Sequence, residues 1–177
     1  MKGIVFTEFL EMVETSFGLE TVDFIITKSK LKSQGAYTAV GVYDFFEMQQ
    51  LIIHLSEKTN ISKEDLIYTY GCYFFNTLVR IHPDIFKHYS SPFAMLASVE
   101  DHIHVQVKKL YPGADLPTFE VIEFKDDYLE MIYHSNNAMY MFAKALMDKT
   151  FEYYDQDSNI TYIKLKKDGT KVKFLIS

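Results

Sequence analysis

The chain has 177 residues, 48% of them hydrophobic, a formal charge of -6 and one cysteine. That length suits one domain with a sizeable core. The acidic balance argues against an electrostatic nucleic-acid surface, and Cys72 alone excludes an intramolecular disulfide or a multi-cysteine metal cluster.

Apolar runs such as Leu51-Ile52-Ile53 fall far short of the roughly 20 residues that cross a bilayer. Glu8 and Glu11 interrupt the start Met1-Lys2-Gly3-Ile4-Val5-Phe6 before a signal-peptide core forms, so a cytoplasmic chain without a membrane segment is expected.

In chain order, Phe6, Phe9, Leu10, Val13 and Phe17 repeat at helical spacing and predict a helix over 4–17, closed by Gly18. A second helix is expected over 44–58, with Asp44 as N-cap and Phe46, Met48, Leu51, Ile52 and Leu55 on its apolar face. Ser62-Lys63-Glu64-Asp65 offers a serine cap with an acid three residues on, and opens a third helix that runs to about Arg80. Gly71 lies inside it at a cost of about 1 kcal/mol relative to alanine, which implies a close backbone approach.

Ser91-Pro92 starts a further helix that Tyr111-Pro112-Gly113 ends, with His104 inside. Beyond residue 118 the pattern turns to short alternating segments, 119–124 and 128–133, joined by Lys125-Asp126-Asp127 as a hairpin. One more helix is expected over 136–151, then a second hairpin turning at Asp168-Gly169. The reading is α+β, a mainly helical N-terminal part followed by an antiparallel sheet with a helix, and one domain over 1–177.

Histidine is the common ligand for haem iron and for many divalent metals. His54, His82, His88 and His134 each suit a structural or solvated role. His102 and His104 form an H-x-H pair that would chelate from a strand, but in a helix two positions are about 200° apart and cannot share an ion. Phe93, Leu96, Ile103, Val107, Leu110 and Tyr111 mark the apolar face; His104 falls within about 60° of its centre and His102 roughly 140° away. Spacing therefore turns His104 inward, where a histidine is more often a hydrogen-bonded core residue than a ligand, so spacing alone does not establish haem.

The segment Ile103-His104-Val105-Gln106-Val107-Lys108-Lys109-Leu110-Tyr111-Pro112-Gly113-Ala114-Asp115-Leu116-Pro117, with Asp101 three residues before the histidine, resembles the proximal-histidine region of the H-NOX family, the haem nitric oxide/oxygen binding domains. The likeness extends from Met1-Lys2-Gly3 through Gly71 to Tyr133-x-Ser135 and the closing hairpin. It implies haem b between the two halves, His104 as axial iron ligand, and Pro117 packed against the porphyrin. The family's propionate motif, Tyr-x-Ser-x-Arg, is matched by Tyr133 and Ser135 but has Asn137 in place of arginine, a neutral amide where a charged fork is expected.

The same alignment sets Val5, Phe9, Phe74, Leu78 and Phe142 around the distal face, with phenylalanine where oxygen-holding members carry a tyrosine. Tyr70, Tyr73 and Tyr140 remain as other sources of a hydroxyl. A donor-free pocket favours nitric oxide, with carbon monoxide as a further ligand, because bound dioxygen gains from a hydrogen bond that nitric oxide does not need. The resemblance thus implies a non-enzymatic nitric oxide sensor acting in signal transduction through a separate histidine kinase or cyclic-diguanylate enzyme. An oxygen-binding haem protein, a haem enzyme and a haem-free interaction module of the same fold stand as alternatives.

Overall fold

The computed structural model describes residues 1–177. Helices α1 (Gly3–Phe17), α2 (Leu19–Ser29), α3 (Phe45–Thr59) and α4 (Lys63–Ile81) form the N-terminal part. Gly18 ends α1 with φ 83°, a left-handed conformation that a glycine adopts without strain, and its N–H donates to the Glu14 carbonyl. Both expected caps form: the Asp44 carboxylate accepts from Phe46 N at 2.9 Å, and Ser62 Oγ accepts from Asp65 N at 3.1 Å. Helix α2 lies outside the predicted elements, because only Val22 and Ile25 mark its buried apolar stripe while Thr21 and Ser29 are buried by returning their hydroxyls to Phe17 and Ile25 carbonyls.

Two short helices, α5 (Pro83–His88) and α6 (Pro92–Ala97), lead to a π-helical turn over Val99–Ile103 and then to α7 (His104–Leu110). The continuous helix expected from Ser91 to Tyr111 is therefore broken. At the break, Ser98 Oγ donates to the Met95 carbonyl at 2.8 Å and lies 2.5 Å from Tyr89 Oη, contacts that compete with the regular backbone ladder.

Strands β1 (Thr118–Lys125), β2 (Tyr128–His134), β3 (Ile160–Lys164) and β4 (Lys171–Ile176) make one antiparallel sheet in the order β1-β2-β4-β3. Alternation places Leu129, Met131 and Tyr133 opposite Ile176, Phe174 and Val172, all buried on one face. Helix α8 (Tyr140–Tyr153) covers that face with Tyr140, Ala143, Met147 and Phe151. It starts four residues later than expected, since Ser135 to Met139 form a turn with Ala138 at φ 51°.

The chain thus has the expected α+β arrangement, with one apolar core among α1 to α4 and another between sheet and α8. The two meet where α4 crosses α8: a Cβ on Gly71 would lie 2.6 Å from that of Ala145 and 2.9 Å from the Phe142 carbonyl. Glu64 adds a polar tie, accepting from Tyr140 Oη at 2.5 Å and from Lys164 Nζ at 2.7 Å. No helix is long and apolar enough to cross a membrane.

Candidate functional site

A cavity of about 300 Å³ separates the two cores, and 25 of its 34 lining residues are hydrophobic, so any occupant is itself largely apolar. His104, the first residue of α7, lines it and is 8% exposed. Its Nδ1 stands 3.2 Å from Glu100 Oε2, and the same oxygen accepts from the Phe119 backbone N–H at 3.1 Å. With Nδ1 donating to a carboxylate, Nε2 keeps its lone pair. Burial holds the imidazole below its ordinary pKa against the upward pull of Glu100, so it is neutral and able to bind a metal at neutral pH.

His102 turns elsewhere: its Nδ1 bonds Tyr89 Oη and its ring lies 5.1 Å from that of His88. The divergence expected from a regular helix thus holds across a π-helical turn. Asp101, three residues before the histidine, is exposed; the carboxylate on the imidazole is Glu100, which the i, i+4 spacing to His104 could have flagged. His82, which suits a structural or solvated role by sequence, also lines the cavity, with its ring 6.2 Å from that of Tyr111.

Val5, Phe74, Leu78 and Phe142 line the cavity, with the rings of Phe74 and Phe142 5.6 Å apart. Phe9 does not: it is fully buried one layer behind, edge-on to Tyr70 at 5.2 Å, because α1 turns it into the helical core. The candidate hydroxyls are engaged. Tyr70 Oη donates to the Val5 carbonyl at 2.6 Å, and burial keeps that phenol protonated. Tyr140 bonds Glu64, Tyr73 is half-buried beside Glu11, and Thr77, which lines the cavity, donates to the buried Glu8 at 2.5 Å.

Tyr133, Ser135, Asn137 and Pro117 also line the cavity. Burial pushes the Tyr133 phenol up to about 12, so it remains a donor. Ser135 Oγ accepts from Asn137 N at 3.1 Å, and the Asn137 amide donates to Asp115 Oδ2 at 3.1 Å. The only arginine, Arg80, faces Glu8 at 3.7 Å with a side chain 71% exposed. Cys72 is half-buried beside Tyr68, its thiol held up by burial and so poorly nucleophilic.

No group of three or more His, Cys, Asp or Glu side chains is gathered anywhere to hold a bare metal ion. One neutral imidazole on an apolar cavity suits a metal whose remaining coordination comes from its own organic ligand, and the polar edge at Tyr133 and Ser135 suits a group with a polar margin. The residues present fit a haem.

Comparison with known proteins agrees. The Haem-NO-binding family profile matches residues 2–162. The crystal structure of an Fe(II) unliganded H-NOX protein from K. algicida is 51% identical, with a TM-score of 0.98 over 99% of this chain and 95% of that one. An H-NOX from Shewanella woodyi, solved in solution bound to IWP-051 in the Fe(II)CO state, is 35% identical, with a TM-score of 0.83 over 100% of this chain and 94% of that one. An H-NOX protein from S. oneidensis in the Fe(II)NO state shares the fold at 21% identity, with a TM-score of 0.90 over 100% of this chain and 98% of that one. No curated protein matches the chain. The profile over most of the length and the identity to two H-NOX structures make this chain a member of the Haem-NO-binding, or H-NOX, family.

Proposed function

We propose that residues 1–177 act as one haem-based gas-sensing domain, with His104 as the only protein ligand to a b-type haem and nitric oxide as its preferred gas. The observation that carries this reading is the pairing of a buried, neutral His104, oriented by Glu100, with a wall of Val5, Phe74, Leu78 and Phe142 that carries no side-chain donor, the neighbouring Tyr70 and Thr77 hydroxyls being bonded elsewhere.

Haem, when bound, supplies a ferrous iron that takes up a diatomic gas. The chain's own residues hold that group and select the gas. His104 would offer Nε2; Val5, Phe74, Leu78 and Phe142 would exclude water and offer no donor; Tyr133, Ser135 and Asn137 would meet its polar margin, and Pro117 would pack beside it. Without a donor, dioxygen gains little, whereas nitric oxide and carbon monoxide bind without such help. The Fe(II)CO state of the S. woodyi relative supports gas binding as the family's chemistry.

His104 opens α7 just after a π-helical turn, the kind of irregularity that often marks a functional position. Release of His104 from a bound haem would let α7 shift against that turn, and a separate cytoplasmic histidine kinase or cyclic-diguanylate enzyme would read the shift. A sensor role is favoured over haem enzymology, because Val5, Phe74, Leu78 and Phe142 present no acid-base group.

A visible spectrum tests the reading. Purified protein reconstituted with haem is expected to show a Soret band that His104→Ala alters, to stay five-coordinate when ferrous in air, and to bind nitric oxide. Failure to form a Soret band refutes haem binding; a stable oxygen complex refutes the gas preference alone.

A further inference from the structure

We propose that the positive charge opposing the two haem carboxylates comes from the β3–β4 hairpin, from Lys171 assisted by Lys166, rather than from position 137. This rests on the proposed binding of haem.

A carboxylate-bearing group needs a compensating cation where it leaves an apolar cavity. Asn137 supplies none: it is neutral, and its amide is held by Asp115, itself an anion on the cavity rim. Arg80 does not line the cavity and faces Glu8. Asp115 raises the need for a cation, since each carboxylate placed at that rim meets a like charge.

The rim leads to one. Asp115, Leu116 and Ser135 belong both to the apolar cavity and to an adjoining polar groove, which continues to Lys166 and Lys171. Local folding puts them there. The N–H groups of Leu165 and Lys166 both donate to the Lys171 carbonyl, closing the hairpin, and Ser135 N donates to the Thr170 carbonyl at 3.0 Å, docking it at the end of β2. Register places Lys171 directly across from His134, the residue before Ser135.

Lys166 and Lys171 hold no carboxylate within ion-pair distance, as is true of most lysines here, and what distinguishes them is that they line the groove continuous with the cavity rim. Asp168, in the same groove, is engaged by the Thr170 N–H and hydroxyl at 2.9 and 2.7 Å. Lys2, which lines the cavity at the start of α1, is the competing cation.

The test crosses the chain with the group. Wild type, K166Q/K171Q, K2Q and the exposed control K167Q are each reconstituted with haem and with haem dimethyl ester, which lacks both charges, and transfer to apomyoglobin is timed. With haem, K166Q/K171Q is expected to lose the group about threefold to tenfold faster, the range for one or two charge-assisted contacts in a partly exposed groove. K167Q should keep the wild-type rate, K2Q should change it less than K166Q/K171Q does, and all four proteins should lose the ester at one rate.

An effect carried by K2Q, unaltered rates in K166Q/K171Q, or equal acceleration of haem and ester overturns the assignment while the haem reading stands. A wild type that forms no Soret band overturns both.

Discussion

Replacing Glu100 separates its charge from its geometry. One oxygen, Oε2, serves both His104 Nδ1 at 3.2 Å and Phe119 N at 3.1 Å, and a glutamine carbonyl can accept both bonds in the same place. Hydrogen bonds to charged groups contribute about 1.5–3 kcal/mol and neutral ones about 0.5–1.5. The Glu100 side chain is 31% exposed, which sets the expected cost of Glu100→Gln near the low end of the difference, about 1 kcal/mol. Glu100→Ala also leaves the Phe119 N–H without its acceptor and should cost about 1–3 kcal/mol. For a chain of this size that amounts to a loss of roughly 2–4 °C in Tm per kcal/mol. Both variants remove the carboxylate that makes the imidazole a stronger donor, so the iron–histidine stretching frequency of the ferrous protein should fall in both. The apoprotein offers an independent check: without the upward pull of Glu100, His104 should titrate at still lower pH. If the stretching frequency does not move in either variant, the carboxylate is a fold contact of β1 and has no hold on the ligand.

Gly71→Ala should destabilise by up to about 2 kcal/mol, because overpacking of about 1–3 kcal/mol against Ala145 and the Phe142 carbonyl exceeds the gain of about 1 kcal/mol in helix propensity; a rise in Tm would contradict the close approach. The Glu64 carboxyl is held below its usual range by its bonds from Lys164 and Tyr140. Its stabilisation is therefore full above the ordinary glutamate value near about 4.3 and is lost as pH falls through the lower folded value. The Tm gap between wild type and Glu64→Gln should close on acidification, and a gap that widens would reverse the sign. Asn137→Arg should slow haem transfer to apomyoglobin, since five charged donors can satisfy Asp115 and still reach a propionate; an unchanged or faster rate would show that the added charge is spent on Asp115.

Helix ends with short-range chemistry are legible in the sequence: Asp44 and Ser62 cap as their residue types dictate, and Gly71 sits where α4 needs no side chain. The inward turn of His104 is legible too, although periodicity assumes a uniform helix and the π-helical turn arises from Ser98 and Tyr89, a contact across a loop. Phe9 shows the limit of assigning a face by alignment. It shares a helix with Val5, yet packing against Tyr70 takes it out of the cavity. The bond between Asn137 and Asp115 spans 22 residues and two loops, and no local pattern encodes it. Haem itself comes from resemblance, since an inward histidine alone is more often a core residue than a ligand.

The hydroxyls beside the cavity bring the gas preference down to a comparison of acceptors. For Tyr70 to serve bound dioxygen it must leave the Val5 carbonyl, and for Thr77 to do so it must leave a buried carboxylate. The first exchange is roughly even, a neutral bond given up for one to a partially charged oxygen. The second forfeits a charge-assisted bond of about 1.5–3 kcal/mol and leaves Glu8 short of a donor. Neither exchange offers the net gain that the proposed gas preference excludes. Tyr70→Phe should therefore cost about 1 kcal/mol of stability and leave the ferrous spectrum in air as it was. Phe142→Tyr adds a phenol with no acceptor assigned to it beside Phe74, and should raise the affinity for oxygen by about tenfold, the factor that about 1.4 kcal/mol confers. If Tyr70→Phe instead shortens an oxygen complex that the wild type forms, Tyr70 turns from Val5 to the gas and the wall is not donor-free.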